Sequence, residues 1–259
     1  MSQISNTVIE NENKFWSLVF KNEFDNSNNK LYSHYWWQKY YESITKYVTN
    51  YCSITESSQI LEPGCGSGKA SILLGKNIPR TLLDISPEAL KYAQIVSKRF
   101  KTKQIKFELG DVFNLRKYYS AYDLVWNIGV VEHYSLEQIE KIFIEMVCCT
   151  KPGGFVSFGV PNFWTGATLK AYLLTLPIIN KIAGYRLDSE NFYSEKILND
   201  LMGVAITKSK RKTLSCNITY HGNPLNIEAL RILQDSIGLF LAKIIPKSQF
   251  LSLYTYKIN

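Results

Sequence analysis

Residues 60–69 read Ile-Leu-Glu-Pro-Gly-Cys-Gly-Ser-Gly-Lys, and the rest of the fold can be worked out from this segment. An apolar run leads directly into glycines at alternate positions, Gly64, Gly66 and Gly68, and a helical pattern begins at Lys69. Glycines allow the backbone to pass close to a ligand and leave amide groups free at the start of a helix. The GxGxG spacing differs from the GxGxxG of dinucleotide-binding proteins. We therefore predict a strand, a ligand-binding turn and a helix.

Short apolar runs alternate with helical patterns beyond this turn. The predicted strands cover residues 59–63, 80–85, 105–109, 122–127 and 155–160, and the predicted helices cover residues 69–74, 87–100 and 136–149. This alternation is typical of an α/β domain, a parallel sheet with helices on both faces. Two later runs, at 214–220 and 251–258, have the alternating pattern of antiparallel strands and predict an antiparallel edge.

Polar residues follow the predicted strands at their carboxyl ends. Asp84 ends the second strand twenty positions after Gly64, Asp111 follows the third strand, and Asn127 ends the fourth. Open α/β sheets bind ligands at this edge, and a carboxylate at the end of the second strand can accept hydrogen bonds from both hydroxyls of a ribose.

The motifs occur in an order that resembles the class I S-adenosylmethionine-dependent methyltransferases. Besides the turn and the acids, the chain carries Gly129-Val130-Val131-Glu132-His133 and Lys151-Pro152-Gly153-Gly154. The first of these is similar to the GVxEH motif of a branch that acts on small molecules. The resemblance covers residues 59–162. It implies a Rossmann-like, seven-stranded, mostly parallel sheet with one reversed strand near its edge, and S-adenosylmethionine as the cofactor.

The resemblance also implies roles for individual residues. The three glycines would pass under the methionine part of the cofactor, Asp84 would bind its ribose, and Asp111 its adenine amino group. Asn127 would offer a backbone contact to the methionine end, and Glu62 would organise the turn. The complete set of predicted cofactor contacts is Glu62, Gly64, Cys65, Gly66, Gly68, Asp84, Ile85, Asp111, Val112 and Asn127.

The methyl acceptor is expected beside this cleft. His133 follows the fourth strand and is the candidate general base, with orientation of the loop or capping of the next helix as the alternative. Residues 32–51 form a ring-rich helical pattern, with Trp36 and Tyr40 in one row and Trp37 and Tyr41 in the adjacent row. These rings either cover the acceptor or pack in the core. The predicted acceptor contacts are Tyr32, Trp36, Tyr40, His133, Phe163 and Trp164.

The chain divides into two predicted parts. Residues 1–52 form an aromatic-rich helical cap, and residues 53–259 form the methyltransferase domain. A helical insertion follows the fifth strand at about residues 163–203, and its last helix, at 194–202, is expected to end at Gly203.

Composition narrows the setting and the partners. The 259 residues carry a formal charge of +8, which permits nucleic acid, an anionic membrane surface or an acidic ligand as partner. Five cysteines without a CxxC pair favour a reducing, cytoplasmic compartment. The amino terminus does not read as a signal peptide, and the longest apolar stretch, 169–182, is too short and too interrupted to span a bilayer. The three histidines have no metal-binding spacing, so we expect no metal.

We expect methyl transfer to an oxygen or nitrogen of a small organic molecule, with no obligatory nucleic acid. The alternatives are methylation of RNA or protein and a cofactor-binding protein without catalysis. A basic run at 208–212 would serve RNA, although such a run is more often a solvated turn. The pattern indicates neither the acceptor nor the oligomeric state.

Overall fold

The computed structural model describes residues 14, 17–18, 34–163, 165–166, 168–169, 191–226 and 230–259. Its first half contains α1 (Tyr35–Tyr51), β1 (Ile60–Pro63), α2 (Lys69–Leu73), β2 (Arg80–Asp84), α3 (Pro87–Arg99), β3 (Ile105–Leu109) and β4 (Tyr122–Ile128). The second half contains α4 (Leu136–Cys149), β5 (Thr150–Pro161), α5 (Glu195–Lys208), β6 (Thr213–His221) and β7 (Leu251–Ile258). Between β6 and β7, α6 (Arg231–Leu233), a π-helical turn (Gln234–Gly238) and α7 (Leu239–Ile244) follow one another without a break, and we call residues 231–244 the outer helix.

The seven strands form one sheet in the order β3-β2-β1-β4-β5-β7-β6. The pairings from β3 to β5 are parallel, whereas β7 runs antiparallel to both β5 and β6. The α/β class, the seven strands and the antiparallel edge are confirmed. The sheet is mixed rather than mostly parallel, because β7 inserts between β5 and β6. The chain leaves β1 towards β2 on one side and later returns to β4 on the other, and ligands bind at such a switch point.

Helices cover both faces of the sheet because successive strand residues point to opposite sides. Leu124 and Trp126 of β4 pack with the buried row of α1, while Val125 packs with α4 and α5 on the other face. The α1 row consists of Trp36, Tyr40, Ile44 and Val48. This packing fixes α1 beside the carboxyl ends of β1 and β4.

The helix predicted to end before Gly203 does not end there. α5 continues to Lys208 and buries Ala205 and Ile206 beyond the glycine. A glycine inside a helix costs about 1 kcal/mol relative to alanine, and burial of the following apolar side chains offsets that cost.

Most of the predicted insertion, including residues 170–190, lies outside the described residues, as do Tyr32 and Trp164. In the part of the chain that the structure describes, no helix has the length and apolar character needed to cross a membrane.

Candidate functional site

The glycine turn has a backbone that only glycine adopts easily. Gly64, Gly66 and Gly68 have φ values of +72°, +51° and +64°, in the left-handed region. Space is also restricted, because a Cβ on Gly64 would lie 3.0 Å from Val130 Cγ2 and one on Gly68 would lie 2.6 Å from Leu82 Cδ1. The alternating glycines therefore form a backbone surface that a ligand can approach closely.

Asp84 fixes the middle of this turn. Its Oδ2 accepts a hydrogen bond from the Gly66 amide at 2.8 Å, and its Oδ1 accepts one from the Ser86 amide at 2.9 Å. Burial raises the pKa of Asp84, and these two amide hydrogen bonds oppose the rise. Each carboxylate oxygen has a second lone pair, so both oxygens can still accept a ligand hydroxyl.

Glu62 lies beneath the turn in a buried polar network. Its Oε2 accepts a hydrogen bond from the Ser71 amide at 3.3 Å, and burial raises its pKa to about 7. The Ser71 hydroxyl accepts a hydrogen bond from Trp126 Nε1 at 2.8 Å, and the Arg80 guanidinium donates to the carbonyls of Ser71 and Gly75. This network holds the start of α2 against the sheet.

Asp111 and Val112 adjoin the turn at the end of β3. Asp111 Oδ1 accepts a hydrogen bond from the Phe113 amide at 2.9 Å, and burial raises the pKa of its carboxyl. A Cβ built on Gly64 would lie 3.6 Å from Val112 Cγ1, and it would also contact Val130. Gly64 thus lies between two aliphatic side chains.

Asn127 is completely buried at the end of β4. Its side-chain amide nitrogen lies 3.4 Å from Met146 Sδ, while its Oδ1 has no hydrogen-bond partner in the described part of the chain. The side chain is therefore turned towards α4.

One cavity of about 670 Å³ joins α1 to the glycine turn. The turn and the end of β4 form one wall, and α1 forms the other with an aromatic and polar row. The lining residues are Trp37, Gln38, Tyr41, Glu42, Thr45, Gly64, Cys65, Gly66, Ser67, Lys69, Leu73, Phe100, Ile128 and Gly129.

The ring-rich helix presents its second row, not its first, to this cavity. Trp36 and Tyr40 are 1% and 3% exposed and pack together in the core, with ring centroids 5.4 Å apart. They do not line the cavity, because their row faces the sheet. Trp37, Tyr41 and Thr45 were not among the predicted contacts, although their i, i+4 spacing already places them on one face.

Two more of the predicted acceptor contacts, His133 and Phe163, belong to the described residues. His133 is partly buried on a 3₁₀ turn (Val131–His133) that follows Gly129, and Phe163 packs edge-on against Phe192 at 4.8 Å. Neither lines this cavity.

The residues at the turn fit S-adenosylmethionine. The glycine backbone of the turn borders the cavity, and the buried carboxylate of Asp84 beside it suits a ribose and a cationic sulfonium.

Comparisons with known proteins agree with this geometry. Residues 60–154 match the family model described as a methyltransferase domain. An uncharacterized methyltransferase of Schizosaccharomyces pombe is 28% identical over 125 residues, which are 44% of this chain and 43% of that protein. Norajmaline N-methyltransferase of Rauvolfia serpentina is 32% identical over 97 residues, 36% of this chain and 32% of that enzyme. The chain thus spans less than half the length of these relatives.

The fold is shared by a solved structure over nearly its whole length. Magnesium protoporphyrin IX methyltransferase of Synechocystis PCC 6803, crystallised with bound SAH, superposes with a TM-score of 0.61. The match has 14% identity and covers 96% of this chain and 98% of that one. Over residues 60–154 the chain is therefore similar to a methyltransferase domain, and it shares its fold with a methyltransferase that binds SAH.

Proposed function

We propose that this protein transfers a methyl group from S-adenosylmethionine to an oxygen or nitrogen of a small organic molecule. One observation carries the proposal: the Trp37 and Tyr41 row of α1 faces the glycine turn across one cavity. A pocket of about 670 Å³ with aromatic walls and a few polar groups suits a small ligand.

The residues that would hold the cofactor follow from the site. The backbone of the glycine turn and of Asn127 would hold the methionine part, Asp84 would bind the ribose, and Asp111 would bind the adenine amino group. Bound there, the cofactor supplies a methyl group on a positively charged sulfur.

The protein contributes to this reaction by positioning the acceptor and by excluding water from the cavity. Displacement at a methyl group is in-line, and the departing sulfur needs no proton. The α1 row therefore has to align the acceptor atom and exclude water. A base is needed only when the acceptor arrives protonated, and His133, the base expected from the sequence, does not line this cavity.

The basic run supports a small acceptor over RNA. Lys208 pairs with Glu140, and the Arg211 guanidinium donates to the Ser120 hydroxyl and the Thr150 carbonyl. Two of the four cations of the run are thus engaged within the domain. Norajmaline N-methyltransferase, named for a small molecule, also favours this acceptor class. All five cysteines are free thiols, which supports a cytoplasmic setting.

The test follows a labelled methyl group from S-adenosylmethionine into a host-cell extract that is separated into metabolites, RNA and protein. We expect label in a metabolite.

We also expect Asp84→Ala to weaken S-adenosylhomocysteine binding in calorimetry at least about tenfold, because charge-assisted hydrogen bonds to the ribose are lost. Asp200→Ala, on the exposed side of α5, is the matched control and should bind normally.

Each part of the proposal has its own contrary result. Label in RNA or protein contradicts the small acceptor, and unchanged affinity of Asp84→Ala contradicts the ribose assignment. Absence of S-adenosylhomocysteine binding by the unaltered protein overturns the proposal.

A further inference from the structure

The outer helix (residues 231–244) has its apolar side turned away from the protein. Gln234 is 2% exposed and Gly238 is buried. The side of the helix that faces the protein therefore carries a polar residue and a glycine. Ile232, by contrast, is 83% exposed. The exposed apolar side chains of this helix are Ile232, Leu233, Ile237, Leu239, Phe240 and Ile244. Water-soluble helices normally show the opposite arrangement.

Polar contacts hold the helix in this orientation. Asn223 Nδ2 donates to the Gln234 carbonyl at 2.7 Å, and the Asn223 carbonyl accepts a hydrogen bond from Trp36 Nε1 at 3.0 Å. A Cβ on Gly238 would lie 2.1 Å from Asn223 Oδ1, so the helix backbone rests directly on this side chain. The Tyr35 hydroxyl donates to the Asp235 carboxylate at 2.8 Å. The apolar side is therefore not needed to attach the helix, and it stays available for something else.

Basic residues lie on and beside the helix. Lys243 belongs to the helix, as does Arg231, whose guanidinium lies over the Tyr35 ring, and Lys247, which pairs with Glu195, follows it. The helix has a single carboxylate, Asp235, which accepts a hydrogen bond from the Tyr35 hydroxyl. The whole chain carries a formal charge of +8. An exposed apolar patch marks an interaction site, and a helix that combines such a patch with cations binds anionic lipid surfaces.

We propose that the outer helix docks the protein on an anionic lipid surface, with the Ile232, Phe240 and Ile244 side chains in the acyl boundary and Lys243 at the headgroups. The helix adjoins the start of α1 through Tyr35, and the next turns of α1 line the cavity. Docking therefore brings the cavity close to the lipid. The docking itself does not rest on the proposed methyl transfer.

The test is sedimentation with vesicles, which needs no activity. We expect binding to vesicles of phosphatidylcholine and phosphatidylglycerol in equal parts, weaker binding to phosphatidylcholine alone, and a decrease with added salt. The variant Phe240→Ser with Ile244→Ser should lower the affinity at least about tenfold, because two apolar side chains no longer enter the lipid. Lys243→Glu should weaken binding to the anionic vesicles only.

Two further variants separate docking from folding. Ile232→Ser alters a side chain that is 83% exposed, so it cannot disturb packing, and it should also weaken binding. Ile95→Ser, 47% exposed on α3, is the matched control and should bind as the unaltered protein does.

Three results would overturn the proposal. The first is that the unaltered protein does not bind anionic vesicles, and the second is that Ile232→Ser and the double variant bind as tightly as it does. The third is that light scattering shows a dimer which Ile232→Ser abolishes, because a second copy would then cover this side.

Discussion

Gly68 in the glycine turn and Gly153 in β5 both have a left-handed backbone, but a side chain would meet different surroundings at the two positions. The effect of this difference on stability can be measured. Gly68 has φ +64° and a crowded Cβ position, 2.6 Å from Leu82 Cδ1. Gly153, in the loop-like start of β5, has φ +81° and open space around it. An alanine at either position adopts a left-handed conformation, which costs about 1–2 kcal/mol. Only the alanine at position 68 also has to push apart a packed core, which adds about 1–3 kcal/mol.

We therefore predict that Gly68→Ala lowers the free energy of unfolding more than Gly153→Ala does. Urea denaturation of both variants measures the difference, and Gly153→Ala serves as the control for backbone strain. Equal losses would show that Leu82 moves aside and that the turn requires glycine for its backbone angles alone.

At the residue scale, local rules predicted the turn well. The spacing of the glycines and the acid at the end of β2 can be recognised in the sequence, because each feature is determined by residues that are neighbours in the chain. Asp84 lies at the carboxyl edge of the sheet and also accepts a hydrogen bond from the Gly66 amide. This second contact forms only when the end of β2 lies beside the glycine turn. No local pattern contains that contact.

Helix α1 separates a structural row from a row that lines the cavity, and single substitutions can tell them apart. Trp36 is fully buried, stacks on Tyr40 and donates a hydrogen bond to the Asn223 carbonyl, whereas Trp37 is partly exposed in the cavity wall. Trp36→Ala should therefore lower the free energy of unfolding by about 3–5 kcal/mol, which is typical of a large aromatic residue removed from a core.

Trp37→Ala should cost much less stability and should instead raise the KM for the methyl acceptor, with little change in S-adenosylhomocysteine affinity. Urea denaturation, and steady-state kinetics with the acceptor that the labelling experiment identifies, give both readings. If Trp36→Ala raises the KM and leaves stability intact, the assignment of the two rows is reversed.

The sequence shows both rows of rings but not which one meets the sheet. Each row is aromatic, and the choice is made by Leu124, Trp126 and Leu253, which come from distant strands. The same non-local packing explains α5, where burial of Ile206 carries the helix past Gly203. β3 and α4 have the predicted bounds, because Gly110 directly follows β3 and the Ser135 capping box directly precedes α4.

Two buried groups on opposite sides of β4 should give the whole molecule an unusual dependence of stability on pH. Burial raises the pKa of Glu62 from 4.5 to about 7 and lowers the pKa of His221 from 6.5 to about 4. His221 ties β6 to α1, with Nδ1 2.7 Å from the Ser43 hydroxyl and Nε2 2.9 Å from the Thr219 hydroxyl. Both groups are therefore neutral in the folded protein over a range in which each is charged in the unfolded chain.

Between pH 4.5 and 6.5 the two effects have opposite signs. The folded protein holds a proton on Glu62 that the unfolded chain has released, so this group makes stability fall as pH rises. The unfolded chain holds a proton on His221 that the folded protein lacks, so this group makes stability rise with pH. Each slope is at most about 1.4 kcal/mol per pH unit, and the two nearly cancel.

In the variant Glu62→Gln only the effect of His221 remains. We therefore predict that the free energy of unfolding of this variant, relative to the unaltered protein, increases from pH 4.5 to 6.5. His221→Gln should show the opposite trend over the same range, because only the effect of Glu62 remains. Urea denaturation at intervals across this range, with the free energy of unfolding of the unaltered protein subtracted from that of each variant, separates these two groups from all other titrating groups. Differences that stay constant with pH would mean that neither proton is held differently in the folded and unfolded states. The stability of the fold would then be independent of the protonation of Glu62 and His221.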